Sequence, residues 1–377
     1  MKKIRFVFLV IVALMSGIVA VAQGIENQPI YTRINLVSDI AGVARFADPN
    51  LVNPWGLAFG PTSPFWIADN GTGLSTLYRG DGRSFPVGSP LVVTIPPPAG
   101  GTSASPTGLI FNGTSSLVVS ANGKSGAAIF IFATEDGTIS GWSPAVDFHN
   151  AILVVDNSAP GGVDNSTLGA VYKGLATADK GSSHFLYATN FRDAFVEIYD
   201  SHFKFVKSFT DSGVPAGFAP FGIQNINGKL FVSFAKQNDK KHDDVAGPGN
   251  GFVDIFDAEG NLLDRFASGG ALNSPWGLAL APDGFGKFSD HLLVGNFGDG
   301  RINAFGLSSG HFDGQLIDPE ANPLTINGLW ALRFGNGAPN GGSRHKLFFT
   351  AGIADESHGL FGFIKAGREE EEEDGNN

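Results

Sequence analysis

The sequence predicts an all-β protein, a six-bladed β-propeller whose ring is closed by an N-terminal strand in the last blade. Glycine and proline contribute 52 and 21 of the 377 residues, which interrupts the chain too often for long helices. Phenylalanine is common, with 33 residues, and aromatic side chains suit half-buried pleated surfaces. A short glycine phrase also recurs along the whole chain at intervals of about 50 residues, a period typical of four-stranded propeller blades.

The repeated phrase is a small or polar residue, often Pro, then a variable residue, a Gly and an apolar run. The variable residues of the six phrases are Trp55, Thr107, Lys173, Phe221, Trp276 and Asn327. Two further short apolar segments bounded by Gly, Asp and Asn follow each phrase, as expected for successive blade strands. In the second repeat these segments predict strands at residues 116–120 and 128–132.

The last repeat lacks a fourth strand before the acidic C-terminal run. The segment 31–37 precedes the first repeat and has no other strand to pair with. We therefore predict that it pairs with residues 358–363 and closes the ring, which removes exposed sheet edges. The insertion at residues 237–251 in the fourth repeat is predicted to be a flexible loop.

Both ends of the chain lie outside the predicted propeller, which spans residues 31–367 as a single domain. Residues 1–22 have a basic start, an apolar run and the cleavage pattern Ala20-Val21-Ala22, which predict a signal peptide. An uncleaved anchor helix is the alternative, although the apolar run is shorter than the ~20 residues that a span prefers. Residues 23–30 are a leader, and 368–377 a solvated, disordered tail. We expect an exported protein, periplasmic or extracellular, without a membrane span after cleavage.

Composition excludes several classes of function. The formal charge is −11 and the sequence has no basic stripe, which argues against nucleic acid as a partner. The absence of cysteine excludes thiol catalysis and Cys-based zinc sites, and the 8 histidines are scattered. Asn122-Gly123-Lys124-Ser125 ends like a phosphate-binding loop but lacks its first glycine and joins two strands. We expect a monomer.

Polar residues recur in the turn after the second strand of the blades, on the face where the glycine phrases begin. The candidate ligand-binding residues are Trp55, Asp69, Asn70, Asn122, Asn190, Trp276 and Asn296. The candidate metal ligands among them are Asp69, Asn122, Asn190 and Asn296, with Ca²⁺ as the candidate cofactor. Asp299 and Asp355-Glu356 occupy related turns. Turn formation alone explains the same Asn and Asp residues, and blade packing explains the tryptophans, so both interpretations stay open.

Four segments carry a resemblance to known propellers. They are Asn35-Leu36-Val37-Ser38-Asp39, residues 48–57 with Asn53-Pro54-Trp55-Gly56-Leu57, residues 273–279 with Ser274-Pro275-Trp276-Gly277-Leu278, and residues 293–300. The chain resembles the NHL type of six-bladed propeller and, more closely, an uncharacterised family of exported bacterial propellers. That resemblance implies the fold and export but no reaction.

The chain is more distantly similar to gluconolactonase and strictosidine-synthase-like propellers. Gluconolactonase-type enzymes hold a divalent cation in the channel with Glu, Asn and Asp, and their Glu lies just before an innermost strand. None of the six phrase positions carries Glu here.

Three functions of different classes follow. The leading hypothesis is a non-enzymatic binding or scaffolding propeller for an unknown protein, glycan or small molecule. The alternative is a divalent-metal-dependent hydrolase or lactonase acting at the channel mouth. A structural envelope protein is a third interpretation. Two or more carboxylates that converge beside several Asn in the channel would favour the enzyme.

Overall fold

The structure, a computed structural model, describes residues 30–160 and 168–367. The predicted signal peptide (1–22), residues 23–29 of the leader and the predicted tail (368–377) lie outside the described residues. The described part is built from β-strands, with a short 3-10 turn at Gly286–Phe288. It contains no helix of the length and apolarity needed to cross a membrane.

Within the described residues the strands form six blades around a central channel, which confirms the predicted fold. The chain begins with β1 (Tyr31–Ser38) and β2 (Phe46–Ala47), which belong to the last blade. Blade 1 contains β3 to β6: Pro54–Ala58, Phe65–Asp69, Leu74–Tyr78 and Val92–Thr94. Blade 2 contains β7 (Pro106–Phe111) and β10 to β12: Phe130–Thr134, Thr138–Trp142 and Ile152–Asp156, with the hairpin β8 (Val118–Ala121) and β9 (Lys124–Ala127) inserted.

The remaining blades follow the same antiparallel order from the channel outwards. Blade 3 contains β13 to β16: Tyr172–Lys180, Ser183–Asn190, Phe195–Tyr199 and Phe205–Phe209. Blade 4 contains β17 to β20: Phe218–Ile226, Lys229–Lys236, Phe252–Phe256 and Leu262–Ser268. Blade 5 contains β21 to β24: Pro275–Leu280, His291–Asn296, Ile302–Gly306 and Phe312–Gln315. Blade 6 contains β25 to β27, Leu329–Phe334, Lys346–Ile353 and His358–Ala366, and is completed by β1 and β2.

Strand β1 closes the ring. It pairs antiparallel with β27 from Tyr31 opposite Ala366 to Ser38 opposite Leu360, which confirms the predicted closure. Leu36 is 2 % exposed and packs in the same apolar cluster as residues of the last blade. The two ends of the propeller are therefore joined by both backbone hydrogen bonds and apolar packing.

The segments predicted at 116–120 and 128–132 in the second repeat overlap strands β8 and β10, but their prediction as the second and third strands of the blade is wrong. Residues 118–127 form the separate hairpin β8–β9, and the second strand of the blade is β10, which pairs directly with β7. The hairpin misleads because it carries short β-rich runs like those of a blade. As a consequence, the turn after the second strand begins at Glu135, and Asn122 lies in the hairpin turn.

The repeated glycines let innermost strands of successive blades approach closely. A Cβ atom on Gly222 would lie 2.0 Å from the carbonyl oxygen of Trp276 in the next blade, and one on Gly277 would lie 2.4 Å from that of Trp330. This contact shows that Trp330, rather than Asn327, is the last-blade equivalent of Trp276. The sixth phrase is thus displaced by three residues from its predicted register.

Candidate functional site

Aromatic rings fill the channel beneath one mouth, the mouth where the innermost strands begin. The rings of Trp55 and Trp330 stack with their centroids 3.4 Å apart, and Phe297 stacks on Trp330 at 4.0 Å. Trp276 packs edge-on to Trp330, 5.8 Å away, and Phe221 lies at 5.9 Å. We call these five residues the aromatic floor. It excludes water from the centre of the ring and gives the mouth a rigid base.

Each innermost strand places one equivalent residue in the channel, and in blade 3 this residue is Lys173. The other blades carry uncharged residues at the same position: Trp55, Thr107, Phe221, Trp276 and Trp330. Its side chain is 2 % exposed and forms an ion pair with Glu135 of blade 2. The ammonium also lies 5.0 Å from the ring centroid of Trp55 and 5.7 Å from that of Phe191. A carboxylate and two aromatic faces therefore replace the water that this cation loses.

A chain of hydrogen bonds links Glu135 to Glu356 across the mouth. Asn70 donates to Oε2 of Glu135 at 2.9 Å, and Asn53 donates to Oδ1 of Asn70 at 3.2 Å. The same amide of Asn53 donates to Oε2 of Glu356 at 2.8 Å, while Trp330 Nε1 donates to Asn53 Oδ1 at 3.2 Å. The floor thus fixes the orientation of Asn53, and Asn53 fixes both neighbours.

The insertion 237–251, predicted to be a flexible loop, brings further acidic groups to the mouth. Its backbone is hydrogen-bonded internally, with Asn238 N donating to Asp243 O at 2.8 Å. One ligand atom each of Glu135, His242 and Asp243 lies within 4.8 Å of the others. His242 Nδ1 contacts Asp243 Oδ1 at 2.6 Å. Two carboxylates and an imidazole from different blades are a donor set that suits a divalent transition-metal ion.

The carboxyl groups at the mouth hold their protons with different strengths. Burial raises the pKa of Glu356, and the nearby charge of Glu135 raises it further. Burial also raises the pKa of Asp244. In contrast, the hydrogen bond with His242 and the nearby Lys173 ammonium lower the pKa of Asp243. Neighbouring groups with divergent proton affinities are the usual arrangement for acid and base chemistry.

The structure separates the predicted site residues into two groups. Trp55 and Trp276 lie in the aromatic floor, with ring centroids 6.1 Å apart, and Asn70 belongs to the mouth network. The predicted calcium ligands are not gathered: Asp69, Asn190 and Asn296 turn into their own blades, and Asn122 is exposed on the hairpin.

The inward side chains have local roles. Asn190 donates to Glu197 Oε1 at 2.8 Å, and Asn296 donates to the carbonyl of Ala271 at 2.8 Å. Asp69, which pairs in register with Pro54, is fully buried. Each of these three residues is the last residue of a second strand, so its side chain points into the interior of its own blade. Side chains alternate along a strand, and the next residue therefore points towards the mouth.

Sequence reasoning missed Glu135, Lys173, His242, Asp243 and Asp244. Glu135 was missed because the inserted hairpin of blade 2 resembles a second blade strand, which places the predicted turn after that strand at Asn122. Lys173 gave a usable signal, because it is a charged residue at a repeat position that is otherwise aromatic or neutral. The acidic pair Asp243-Asp244 sits in the long insertion, whose path over the mouth no local pattern indicates.

Comparison with known proteins supplies a family. The chain is 32% identical over 337 residues to "Uncharacterized protein R648" of Acanthamoeba polyphaga mimivirus, covering 87% of this chain and 78% of that protein. The chain belongs to the family of this viral protein. A second mimivirus protein, "Uncharacterized protein L690", is 29% identical over 337 residues, with 87% and 84% coverage. No protein-family model matches the chain. Both relatives are uncharacterised viral proteins. The resemblance of the chain to an exported bacterial family therefore stays a prediction.

Solved structures give the same fold with different sequences. Virginiamycin B lyase from Staphylococcus aureus matches with a TM-score of 0.50 at 12% identity, over 90% of this chain and 99% of that chain. A streptogramin B lyase structure matches with a TM-score of 0.50 at 12% identity, over 90% and 98%. At this identity the likeness establishes the propeller fold alone.

Proposed function

We propose that the protein is a divalent-metal-dependent hydrolase that opens small esters or lactones at the channel mouth. The observation that carries the proposal is the convergence of Glu135, His242 and Asp243 within 4.8 Å of one another. Glu356 and Asp244 lie close enough to affect each other's protonation, and Asn53 and Asn70 join the same network. This is the carboxylate-rich arrangement that favours catalysis over simple binding.

Each residue has a role that its surroundings support. Glu135, His242 and Asp243 would hold the cation, which would polarise a carbonyl oxygen and activate water. The contact between Asp243 and His242 orients the imidazole. Lys173, buried and paired with Glu135, would hold that carboxylate in position. Glu356, which retains its proton more strongly than an ordinary Glu, is suited to protonating a leaving oxygen.

Metal binding tests the first part of the proposal. The full chain is stripped with a chelator and unfolded thermally with Mg²⁺, Ca²⁺, Mn²⁺ or Zn²⁺. A cation present at 100 times its dissociation constant stabilises the folded state by about 2.7 kcal/mol. We expect this stabilisation in the wild type and in Asp239→Asn, an exposed acid of the same insertion. It should be lost in Asp243→Asn and in Glu135→Gln.

Hydrolysis tests the second part. The metal-loaded protein is assayed against a panel of small aryl esters and lactones, with Glu356→Gln as the test variant and Asp355→Asn as the control. Asp355 is the exposed neighbour of Glu356 in the same turn. We expect Glu356→Gln to lower kcat by about 10²-fold or more and Asp355→Asn to retain activity. Metal binding without hydrolysis of any panel member would reject the enzymatic assignment.

A non-enzymatic binding propeller is the second candidate, and one observation favours it. Both oxygens of Glu135 already accept hydrogen bonds, from Lys173 and from Asn70, so Glu135 has its partners without a metal ion. If no metal stabilises the protein, binding to glycan and small-molecule arrays is the next measurement. The stacked tryptophans of the aromatic floor are the surface on which such a ligand would pack. Binding abolished by Lys173→Met would assign the ligand to this mouth.

We also propose that the protein is exported, on the sequence pattern of residues 1–22. N-terminal sequencing of the native protein from its source should start at Gln23. Recovery from the cytosol with Met1 retained would contradict export.

A further inference from the structure

The innermost strands run from the mouth to the opposite end of the channel, which has a cavity of its own. This lower cavity has a volume of about 280 Å³ and is lined by Phe59, residues 224–227, residues 278–280 and residues 332–334. Between the lower cavity and the aromatic floor the channel contains a constriction with a free volume of only about 40 Å³. This constriction is lined mostly by residues of the innermost strands. The lower cavity is therefore distinct from the mouth.

Arg333 is the charged side chain among the residues that line the lower cavity. Its Nε atom is buried and hydrogen-bonds to no described residue. In the described part of the chain, no carboxylate lies within ion-pair distance of its guanidinium. The ring of Phe59 lies 4.8 Å from the guanidinium carbon and covers the cation. The residue as a whole is half-buried, so the terminal N–H groups of the guanidinium are open to the cavity and only Nε is sealed in the protein.

An unmatched guanidinium is costly to keep in a folded protein. Burying a cation without a carboxylate loses hydration and gains no directed partner, and a ring contact offsets only part of that loss. Burial lowers the pKa of Arg333 to about 10, so the group remains charged at neutral pH. Arg265, in contrast, pairs with Asp211 and Asp254.

We propose that the lower cavity is an oxyanion site, in which Arg333 binds a carboxylate or phosphate group of a small ligand. The planar guanidinium presents paired N–H donors that match either oxyanion. The cavity is large enough for a small organic anion, and Gln224 at the same constriction offers an amide beside the cation. The site is independent of the proposed hydrolase, because the aromatic floor separates the two ends of the channel.

Thermal unfolding and calorimetry of the full chain test the proposal with inorganic phosphate, acetate and chloride at equal ionic strength. We expect phosphate or acetate to stabilise the wild type relative to chloride, and the anion that does so identifies the group. Arg333→Met should abolish this stabilisation, and Arg333→Lys should weaken binding about tenfold because it loses the paired donors. Arg344→Met, an exposed arginine of the same blade, should behave like the wild type.

A second readout uses the protein without oxyanions. Because Arg333→Met removes a half-buried charge that has no carboxylate partner among the described residues, we expect its melting temperature in chloride to equal or exceed that of the wild type. A marked decrease would show that Arg333 has a structural role and would overturn the proposal. The proposal also fails if neither anion stabilises the wild type, or if Arg333→Met keeps the anion effect.

Discussion

The side chain of Lys173 reaches the channel from a blade position that carries Trp, Phe or Thr elsewhere in the ring. This single exchange places a cation against the aromatic floor, and Glu135 and the acidic insertion lie around it. Lys173 of blade 3 therefore supplies the buried positive charge among the carboxylates of the mouth. That placement makes Lys173 the most informative position for testing how the site is held together.

Replacing Lys173 by Met should destabilise the protein by about 2–4 kcal/mol, because Glu135 is then left without its cation in a mostly buried setting. The double variant Lys173→Met with Glu135→Gln should recover part of that loss. Chemical denaturation of both variants and of Lys240→Met, an exposed lysine of the insertion, measures the coupling. Equal losses in the single and double variants would show that the pair is not coupled.

A buried carboxyl group in blade 1 predicts a pH dependence. Burial raises the pKa of Asp69 well above the ordinary value for an aspartate, so the folded state binds this proton more tightly than the unfolded chain. The associated stability is complete below about pH 4 and is lost as the pH rises towards the raised pKa. Asn occupies the equivalent position in blades 3 and 5, as Asn190 and Asn296.

Asp69→Asn should therefore stabilise the protein at about pH 8 by about 1–3 kcal/mol and have little effect near pH 4. Urea unfolding at both pH values measures the difference, with the exposed Asp355→Asn as control. A loss of stability that is the same at both pH values would show that the carboxyl group has a different role.

At the scale of elements, strand β1 is buried at Leu36–Ser38 and exposed in its middle, at Arg33 and Ile34. Leu36 is 2 % exposed, whereas Ile34 on the same strand is 36% exposed. Leu36→Ala should cost about 2–4 kcal/mol because it leaves a cavity in the apolar core. Ile34→Ala, a matched truncation on the solvent side, should cost about 0.5 kcal/mol or less. Similar losses in urea unfolding would indicate that β1 is anchored by its backbone alone.

The insertion 237–251 is the second element on which the site depends. It is an excursion between two blade strands and supplies His242, Asp243 and Asp244, whereas the other mouth residues come from positions close to the repeat. Because the excursion has no counterpart in the other blades, the repeat pattern gives no guide to its path. Its internal hydrogen bonds, such as Asn238 N to Asp243 O, determine where these three side chains lie.

At the scale of the whole molecule, the sequence predicted the architecture far better than the site. Six blades and the closing strand follow from glycine spacing and from strand-length apolar runs, which every blade repeats. Site residues depend on a one-residue difference: Asp69 turns into the blade, and Asn70 next to it reaches the mouth. Local periodicity cannot resolve that difference once a hairpin or a long insertion shifts the register.

The aromatic floor joins blades 1, 4, 5 and 6 at the centre of the ring, and Trp330 is its central residue. It contacts Trp55, Trp276, Phe221 and Phe297 and donates to Asn53. Trp330→Ala should cost about 3–5 kcal/mol and abolish the near-ultraviolet circular dichroism of the stacked tryptophans. Trp330→Phe, which keeps a ring and loses the donor, should cost about 1–2 kcal/mol. A small effect of the alanine variant would mean that the blades hold together without the floor.

The pairing of β1 with β27 also has a consequence in time. Tyr31 is synthesised near the start of the chain, and its partner Ala366 more than 300 residues later. Blade 6 cannot be completed until both strands are present, so the ring stays open throughout translation. Closing so long a loop is slow, because its entropy is lost before the contacts form. The stability that depends on the closed ring therefore arises only after the last strand of the chain has been synthesised.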